Sequence, residues 1–504
     1  MGYARVHAVG LSGVRGTVVE VEADVRAGLP GLLLTGLPDT ALHQARDRVR
    51  AAIVNCGEEW PSRYAVVNLL PASQPKAGSG FDLAIAMALL CAHGALPAAV
   101  LADTVFIGEL GLDGQVRPVR GTLPAVMAAA RAGVRRVVVP LANASEAALV
   151  PGILVKAVDN LGRLIAFARG AGRLLDPPAE RVLRSAPGPD LADVAGQEDG
   201  RRGLEVAAAG GHHLALFGPP GAGKTMLAER LPGLLPLLDD QAALEVTAVH
   251  SVAGVLPPDG PLIRRPPFQA PHHTTSAAAL VGGGSGLARP GVLSLAHRGI
   301  LFLDEAPLLS GAALDTLRQP LESGWVRLAR TRGTTEYPAR VQLVIAANPC
   351  ACPTGALVCD CSSLARRRYL ARISGPLLDR IDVQLTLRPV TPAQLLVDPT
   401  TAESSATVAA RVGAARAAAA ERWSGTGWSL NSQVPGADLR GAPWRLPAAV
   451  SRDLTRHLEL GLLSARGFDR VLRVAWTLAD LGGRTRPDPG DVREAIHLRL
   501  RSST

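Results

Sequence analysis

The segment Gly218-Pro219-Pro220-Gly221-Ala222-Gly223-Lys224-Thr225 matches the pattern G-x-x-x-x-G-K-[ST]. Its chemistry follows from its residue types. Glycines let successive backbone N–H groups close around a phosphate, and a helix opening at the end of the loop adds a favourable partial positive charge. A lysine at this spacing reaches the β- and γ-phosphates, and the threonine hydroxyl binds Mg2+. The apolar run His213–Phe217 before the loop, and a helical pattern from Met226 after it, supply the strand–loop–helix context that such a site requires.

A second segment, Gly299-Ile300-Leu301-Phe302-Leu303-Asp304-Glu305, reads as a buried strand ending in two carboxylates. Asp304 would hold Mg2+ through water, and Glu305 would orient and deprotonate an attacking water. The run gains its meaning from the phosphate loop. A third strand, Val341–Ala347, ends at Asn348, whose amide either polarises the attacking water or caps a turn before Pro349. Arg380, within Leu377-Leu378-Asp379-Arg380-Ile381-Asp382, reads either as a surface ion pair or as an arginine finger supplied to a neighbouring subunit.

Two more groups have chemical potential. Cys350-x-Cys352 and Cys359-x-Cys361 place four thiols on a short loop, which reads as a tetrahedral Zn2+ site or as four reduced, partly buried cysteines. From Trp325 to Pro338, two strand-like arms flank Gly333 and carry Arg327, Arg330 and Arg332, a basic hairpin that is either a solvated turn or, where the chain resembles DNA-translocating rings, the element that faces their central pore. Arginines on phosphates position a protein without reading bases, so neither alternative implies sequence specificity.

The elements that must position these residues fall into three regions. Residues 1–170 alternate strands (Gly16–Asp24, Tyr64–Leu70, Val105–Ile107, Val134–Val139, Ile153–Val158) with helices (Asp39–Gly57, Asp82–His93, Leu123–Ala132, Leu161–Arg169), an α/β pattern. Residues 171–190 are proline-rich and aperiodic, as a linker is. Residues 191–390 form a second α/β region, and 391–504 show helical periods only, the last helix capped by Asp488-Pro489.

Composition narrows the class. The 504 residues are 47% hydrophobic and 19% charged, which excludes global disorder, and only 3% aromatic, so the cores are aliphatic. Lys+Arg 53 against Asp+Glu 44 gives a net charge of +9, a weak pointer to an anionic partner. The opening MGYARVHAVGLSG lacks the order of a signal peptide, and His93, Gly94 and Pro97 split the uncharged stretch Leu83–Ala102. Six unevenly placed cysteines suit a reducing compartment. A cytoplasmic protein with no membrane segment is expected.

The order of phosphate loop, LFLDE strand, strand-end Asn348, LLDRID and helical lid resembles an AAA+ ATPase. More narrowly, HHLALFGPPGAGKTMLAERLPGLLP, FQAPHHTTSAAALVGGG, PGVLSLAHRGILFLDE, AANPCACP and RISGPLLDRID resemble the magnesium-chelatase-like YifB/ComM family, and SARGFDRVLRVAWTLADL resembles its lid helix. The resemblance implies a ring, a hexamer, with ATP and Mg2+ at subunit interfaces. Arg380 would then be the finger, and Arg466 the lid arginine contacting the same nucleotide, with Arg470 and Arg473 as rivals on the same helix.

In the first region, Ile107–Pro118, Ala128–Pro140 and Lys76-Ala77-Gly78-Ser79-Gly80-Phe81-Asp82 resemble the proteolytic domain of Lon, which uses a serine activated by a lysine. Where that resemblance places the serine this chain has Gly80, and where it places the lysine it has Leu123. Ser79 could be a shifted nucleophile but has no evident base. The expected architecture is thus a Lon-protease-like α/β domain, an AAA+ P-loop α/β domain and a C-terminal helical lid. Among functions, a DNA motor for branch migration in natural transformation comes first, as the family resemblance implies. A chelatase motor is disfavoured by the Lon-like domain, and a protease by the missing dyad.

Overall fold

A computed structural model describes residues 2–36, 40–71, 76, 78–178, 188–256, 262–284, 288–330, 333–352, 359, 361–396 and 402–500. The first unit contains β1 (Gly2–Ser12), β2 (Arg15–Arg26), β3 (Gly31–Thr35), β4 (Tyr64–Leu70), β5 (Thr104–Phe106), β6 (Glu109–Leu110), β7 (Val116–Arg117), β8 (Arg136–Pro140) and β9 (Leu154–Val158). Seven of these form one sheet in the order β3–β4–β2–β1–β5–β8–β9, and β6 pairs with β7. Alternation explains β2: Val19, Val21, Ala23 and Val25 are buried while the residues between them face outward. The uncharged stretch becomes the helix Asp82–Ala92, every residue of which is buried. Arg48 neutralises the buried Asp82 at 2.7 Å. Among the described residues no helix is long and apolar enough to cross a membrane.

β1 and β3 were not foreseen from sequence. The inward residues of β1 are Ala4, Val6 and Ala8, and two alanines give a weak alternation signal. The first unit also runs past residue 170. Leu175 exchanges backbone hydrogen bonds with Ala157 at 2.8 and 3.0 Å, and Lys156 Nζ lies 2.5 Å from Asp176 Oδ1. At the other end Asp190 accepts from Ser405 N at 2.8 Å, which ties it to the second unit. Of the expected linker, 179–187 lie outside the described residues.

The second unit carries β10 (Leu214–Phe217), β11 (Phe268–Gln269), β12 (Gly282–Gly283), β13 (Arg289–Pro290), β14 (Ile300–Leu303), β15 (Trp325–Arg330), β16 (Gly333–Pro338), β17 (Gln342–Ala347) and β18 (Val383–Thr386). Five strands form a sheet in the order β11–β14–β17–β10–β18, all pairs parallel. All carboxyl ends therefore share one edge, where α/β sheets bind ligands. The helices Ser405–Arg422, Ala448–Glu459, Ala465–Leu481 and Pro489–Arg499 follow. Val471, Leu472, Ala475 and Leu478 pack in one core with Leu214, Leu216, Val383 and Leu385, so lid and sheet are joined by aliphatic contact.

The two units touch at buried polar and apolar groups. Ala248, on the helix Asp240–Ala253, belongs to the core of the first unit. Ser251 Oγ donates to Glu146 Oε2 at 2.7 Å, and Gly121 N donates to Ser251 O at 3.1 Å. Arg15, the first residue of β2, pairs with Glu336 of β16 at 3.1 Å.

Candidate functional site

Three strand ends deliver the residues expected to act in hydrolysis to the carboxyl edge of the parallel sheet. β10 runs into the loop 218–225 and the helix Lys224–Leu234, β14 into Asp304 and Glu305, and β17 into Asn348. Gly221 and Gly223 hold φ of 76° and 83°, and a Cβ at either would meet nothing within 4 Å. At these two glycines the loop is open, as a cradle for a phosphate requires. Lys224 is buried, and its ammonium donates to Gly218 O and Pro219 O at 2.8 Å each and to Asn348 Oδ1 at 2.9 Å. Burial pushes its pKa down, while Asp304 and Glu305 oppose the shift. A buried ammonium held only by neutral oxygens is poised for anionic ones.

Thr225 Oγ1 donates to Asp304 Oδ2 at 2.7 Å, so the two predicted Mg2+ residues already meet. Asp304 Oδ1 in turn accepts from Glu305 N at 2.8 Å. Glu305 sits at φ 47°, in the left-handed region that costs a non-glycine residue energy and recurs at functional sites. His273 Nδ1 lies 3.6 Å from Glu305 Oε2. ATP and Mg2+ fit this residue set: Lys224 would hold phosphate charge, and Thr225 with Asp304 would hold the ion.

Arg380 is elsewhere. It lies just before β18, at the amino edge of the sheet. There a cavity of about 150 Å³ is lined by Glu322, Asp379, Arg380, Arg466, Asp469, Arg470 and Arg473. Arg380 pairs with Glu322 and donates to Pro376 O at 2.6 Å, while its buried Nε has no partner among the described residues. Arg470 is committed to Asp382 at 2.9 Å, and Arg473 to Val434 O at 2.7 Å. Arg466 is exposed and has no polar partner among the described residues. Of the three rival lid arginines, it alone is uncommitted. Burial favours a neutral Asp382, yet the charge of Arg470 and the hydrogen bond to His212 hold its carboxyl well below the ordinary range.

The four cysteine sulfurs converge, all within 4.8 Å of one another. β15 and β16 form the expected antiparallel hairpin, with Arg330 paired to Gly333 at its tip. Arg330 is exposed there, whereas Arg327 is partly neutralised by Glu336 at 2.8 Å, which the sequence reading did not foresee. Arg332 lies outside the described residues.

In the first unit, a Cβ at Gly80 would meet open space and Leu123 is fully buried. Ser79 Oγ donates to the Glu109 carboxylate, and buried Lys76 donates to Pro71 O. Among the described residues, Ser79 and Lys76 make no bond to each other.

Sequence reasoning missed His273, Glu322 and Gln197, whose Nε2 donates to Ala222 O at 3.1 Å and Arg388 O at 2.6 Å. Only His273 had a signal, the paired histidines in FQAPHHTTS.

Comparison with known proteins follows this geometry. The family model described as "Magnesium chelatase, subunit ChlI" matches residues 190–395. Its C-terminal companion matches 402–499, and "Subunit ChlI of Mg-chelatase" matches 21–143. An uncharacterized protein of Mycobacterium tuberculosis is 52% identical over 504 residues, 99% of each chain. YifB of Escherichia coli is 42% identical over 502 residues, covering 99% of this chain and 96% of its own. The competence protein ComM of Haemophilus influenzae is 37% identical over 513 residues, covering 99% and 98%. Over 160 residues, 30% of this chain, a Lon protease of Trichlorobacter lovleyi is 29% identical, which accounts for the Lon-like first unit. With whole-chain relatives and an AAA+ module ending in a helical lid, the chain belongs to the magnesium-chelatase-like YifB/ComM family.

Proposed function

We propose that this chain is an ATP-hydrolysing motor that assembles into a hexameric ring and acts on branched DNA, driving branch migration as incoming strands are integrated during natural transformation. One observation carries the ring. Lys224, Thr225, Asp304, Glu305 and Asn348 occupy one edge of the sheet, whereas Arg380 and Arg466 occupy the other. In the ring, the amino edge of one chain meets the carboxyl edge of the next. ATP with Mg2+ supplies the phosphoanhydride bond whose hydrolysis drives motion. Lys224 neutralises phosphate charge, Asn348 orients the water, and Glu305 takes its proton. Arg380 and Arg466 of the adjacent chain stabilise charge on the transferring phosphate.

The DNA reading rests on the exposed Arg330 at the hairpin tip, the net charge of +9 and the name of the competence relative. The second reading, a motor for metal insertion into a tetrapyrrole, is favoured by the names of the matching family models. The Lon-like first unit does not weigh against it as the sequence alone suggested, because a model named for the chelatase subunit reaches into residues 21–143. ATP turnover with and without branched DNA separates the two. Several-fold stimulation by branched DNA is the expected result, and no response to any DNA contradicts the reading.

A further inference from the structure

The loop leaving β17 carries Asn348 and then Cys350, and the helix Ser363–Leu370 starts shortly after Cys361. Between them the sulfurs of Cys350, Cys352 and Cys359 stand 2.9, 3.2 and 3.3 Å apart, and Cys361 completes a group spanning no more than 4.8 Å. The separations exceed a disulfide bond of about 2.05 Å. They approach the edge of about 3.8 Å of a tetrahedron whose metal–sulfur distance is ~2.3 Å. Thiols are weak donors and acceptors, so four of them gain little from one another. Four thiolates around one soft-to-borderline divalent ion gain a great deal. A cluster of several irons would hold its cysteine sulfurs apart by the iron–sulfide core between them, and a group this tight fits one ion. Four sulfurs match the four positions of a tetrahedral ion, the ligand count of a closed structural site rather than of a catalytic one.

We propose that Cys350, Cys352, Cys359 and Cys361 bind one structural Zn2+ that ties the end of β17 to the start of the helix Ser363–Leu370. Binding converts the thiols to thiolates and releases their protons to solvent. The ion then fixes two things at once. Asn348, two residues before the first ligand, is held against Lys224. Exposed Arg366, Arg367 and Arg368 are held on a helix anchored by buried Tyr369. The inference does not depend on the DNA reading.

The test uses untagged full-length protein purified without chelator, analysed for zinc and iron by mass spectrometry. About one zinc per chain is expected, with iron at background. Titration with a mercurial reagent in the presence of a chromogenic zinc indicator should release that zinc in step with thiol modification. Cys359→Ser combined with Cys361→Ser should lower zinc content about tenfold or more. Cys56→Ser combined with Cys91→Ser, in the first unit, should keep it. If the former variant proves insoluble, the wild-type release experiment decides. Zinc below about a tenth per chain in the wild type, iron in its place, zinc released without thiol modification, or full zinc in the Cys359/Cys361 variant would each overturn the site.

Discussion

Arg380 stands at the amino-terminal end of β18, while Lys224 folds back onto Gly218 at the carboxyl-terminal end of β10, the strand paired beside it. The paired residues Leu214–Phe217 and Val383–Thr386 separate the two ends by about 10 Å of strand. The phosphate loop and Arg380 thus occupy opposite edges of one sheet. This is the geometry a ring would use, each interface built from two different edges.

The hydrolytic assignment makes two distinct mutants. Lys224→Ala should lose nucleotide binding and turnover together, since no other cation in the loop replaces the buried ammonium. Glu305→Gln should bind ATP normally and hydrolyse it about 10²–10⁴-fold more slowly, the usual contribution of a general base. Fluorescent-nucleotide binding and phosphate release measure the two quantities; turnover near wild type in Glu305→Gln would remove the assigned role.

The hairpin prediction is graded by the ion pair. Arg327 already spends part of its charge on Glu336, so Arg330→Ala should weaken DNA binding more than Arg327→Ala. Each lost duplex phosphate contact should flatten the log–log salt dependence by about 0.9. Removing Arg327, Arg330 and Arg332 together should leave basal ATP hydrolysis intact. Anisotropy titrations at several salt concentrations check this, and an unchanged slope in the triple variant would detach the hairpin from DNA.

Ser79→Ala should leave ATP turnover and DNA binding unchanged and reveal no peptidase to lose. The Ser79 hydroxyl donates to Glu109 and Lys76 donates to Pro71 O, so no lysine base activates it. ATP-dependent peptide cleavage that disappears in Ser79→Ala would contradict this.

Buried Asp382 links the sheet to the lid through Arg470 and, by way of His212, through Thr477. Its carboxyl is held well below the ordinary value of 3.8, against the pull of burial. A carboxylate lowered in the folded state adds stability that is present above pH 3.8 and is lost as pH falls toward the folded value. Arg470→Met should therefore cost about 3–5 kcal/mol near neutral pH, because it strands a buried charge. It should also move acid unfolding to higher pH. Thermal and acid denaturation followed by circular dichroism measure both.

The meeting of Lys224, Thr225, Asp304 and Asn348 at one edge was legible because the segments that carry them are local. Gly218–Thr225 and Leu303-Asp304-Glu305 are contiguous, and apolar runs mark the strands that end in them. The arginine half was legible only as candidates. Spacing on one helix cannot rank Arg466, Arg470 and Arg473; their partners do, since Asp382 and Val434 O come from distant segments and leave Arg466 uncommitted. Glu322 beside Arg380 was invisible for the same reason, whereas Glu336 beside Arg327 depends on the register of the hairpin. In the fold, β2 was readable from Val–Glu alternation, whereas the alanines of β1 carry too little hydrophobic contrast.

The most direct measurement is a mixing experiment on ATP hydrolysis. Arg380→Ala alone should bind ATP nearly normally and turn it over far more slowly, since fingers of this kind contribute roughly 10³–10⁵ in rate where measured in GTPases. Lys224→Ala alone should be inactive. Mixed before assembly, the two should recover activity, because at some interfaces an intact phosphate loop meets an intact Arg380. Full turnover by Arg380→Ala alone, or no recovery in mixtures whose subunits are shown to exchange, would contradict a site shared between chains.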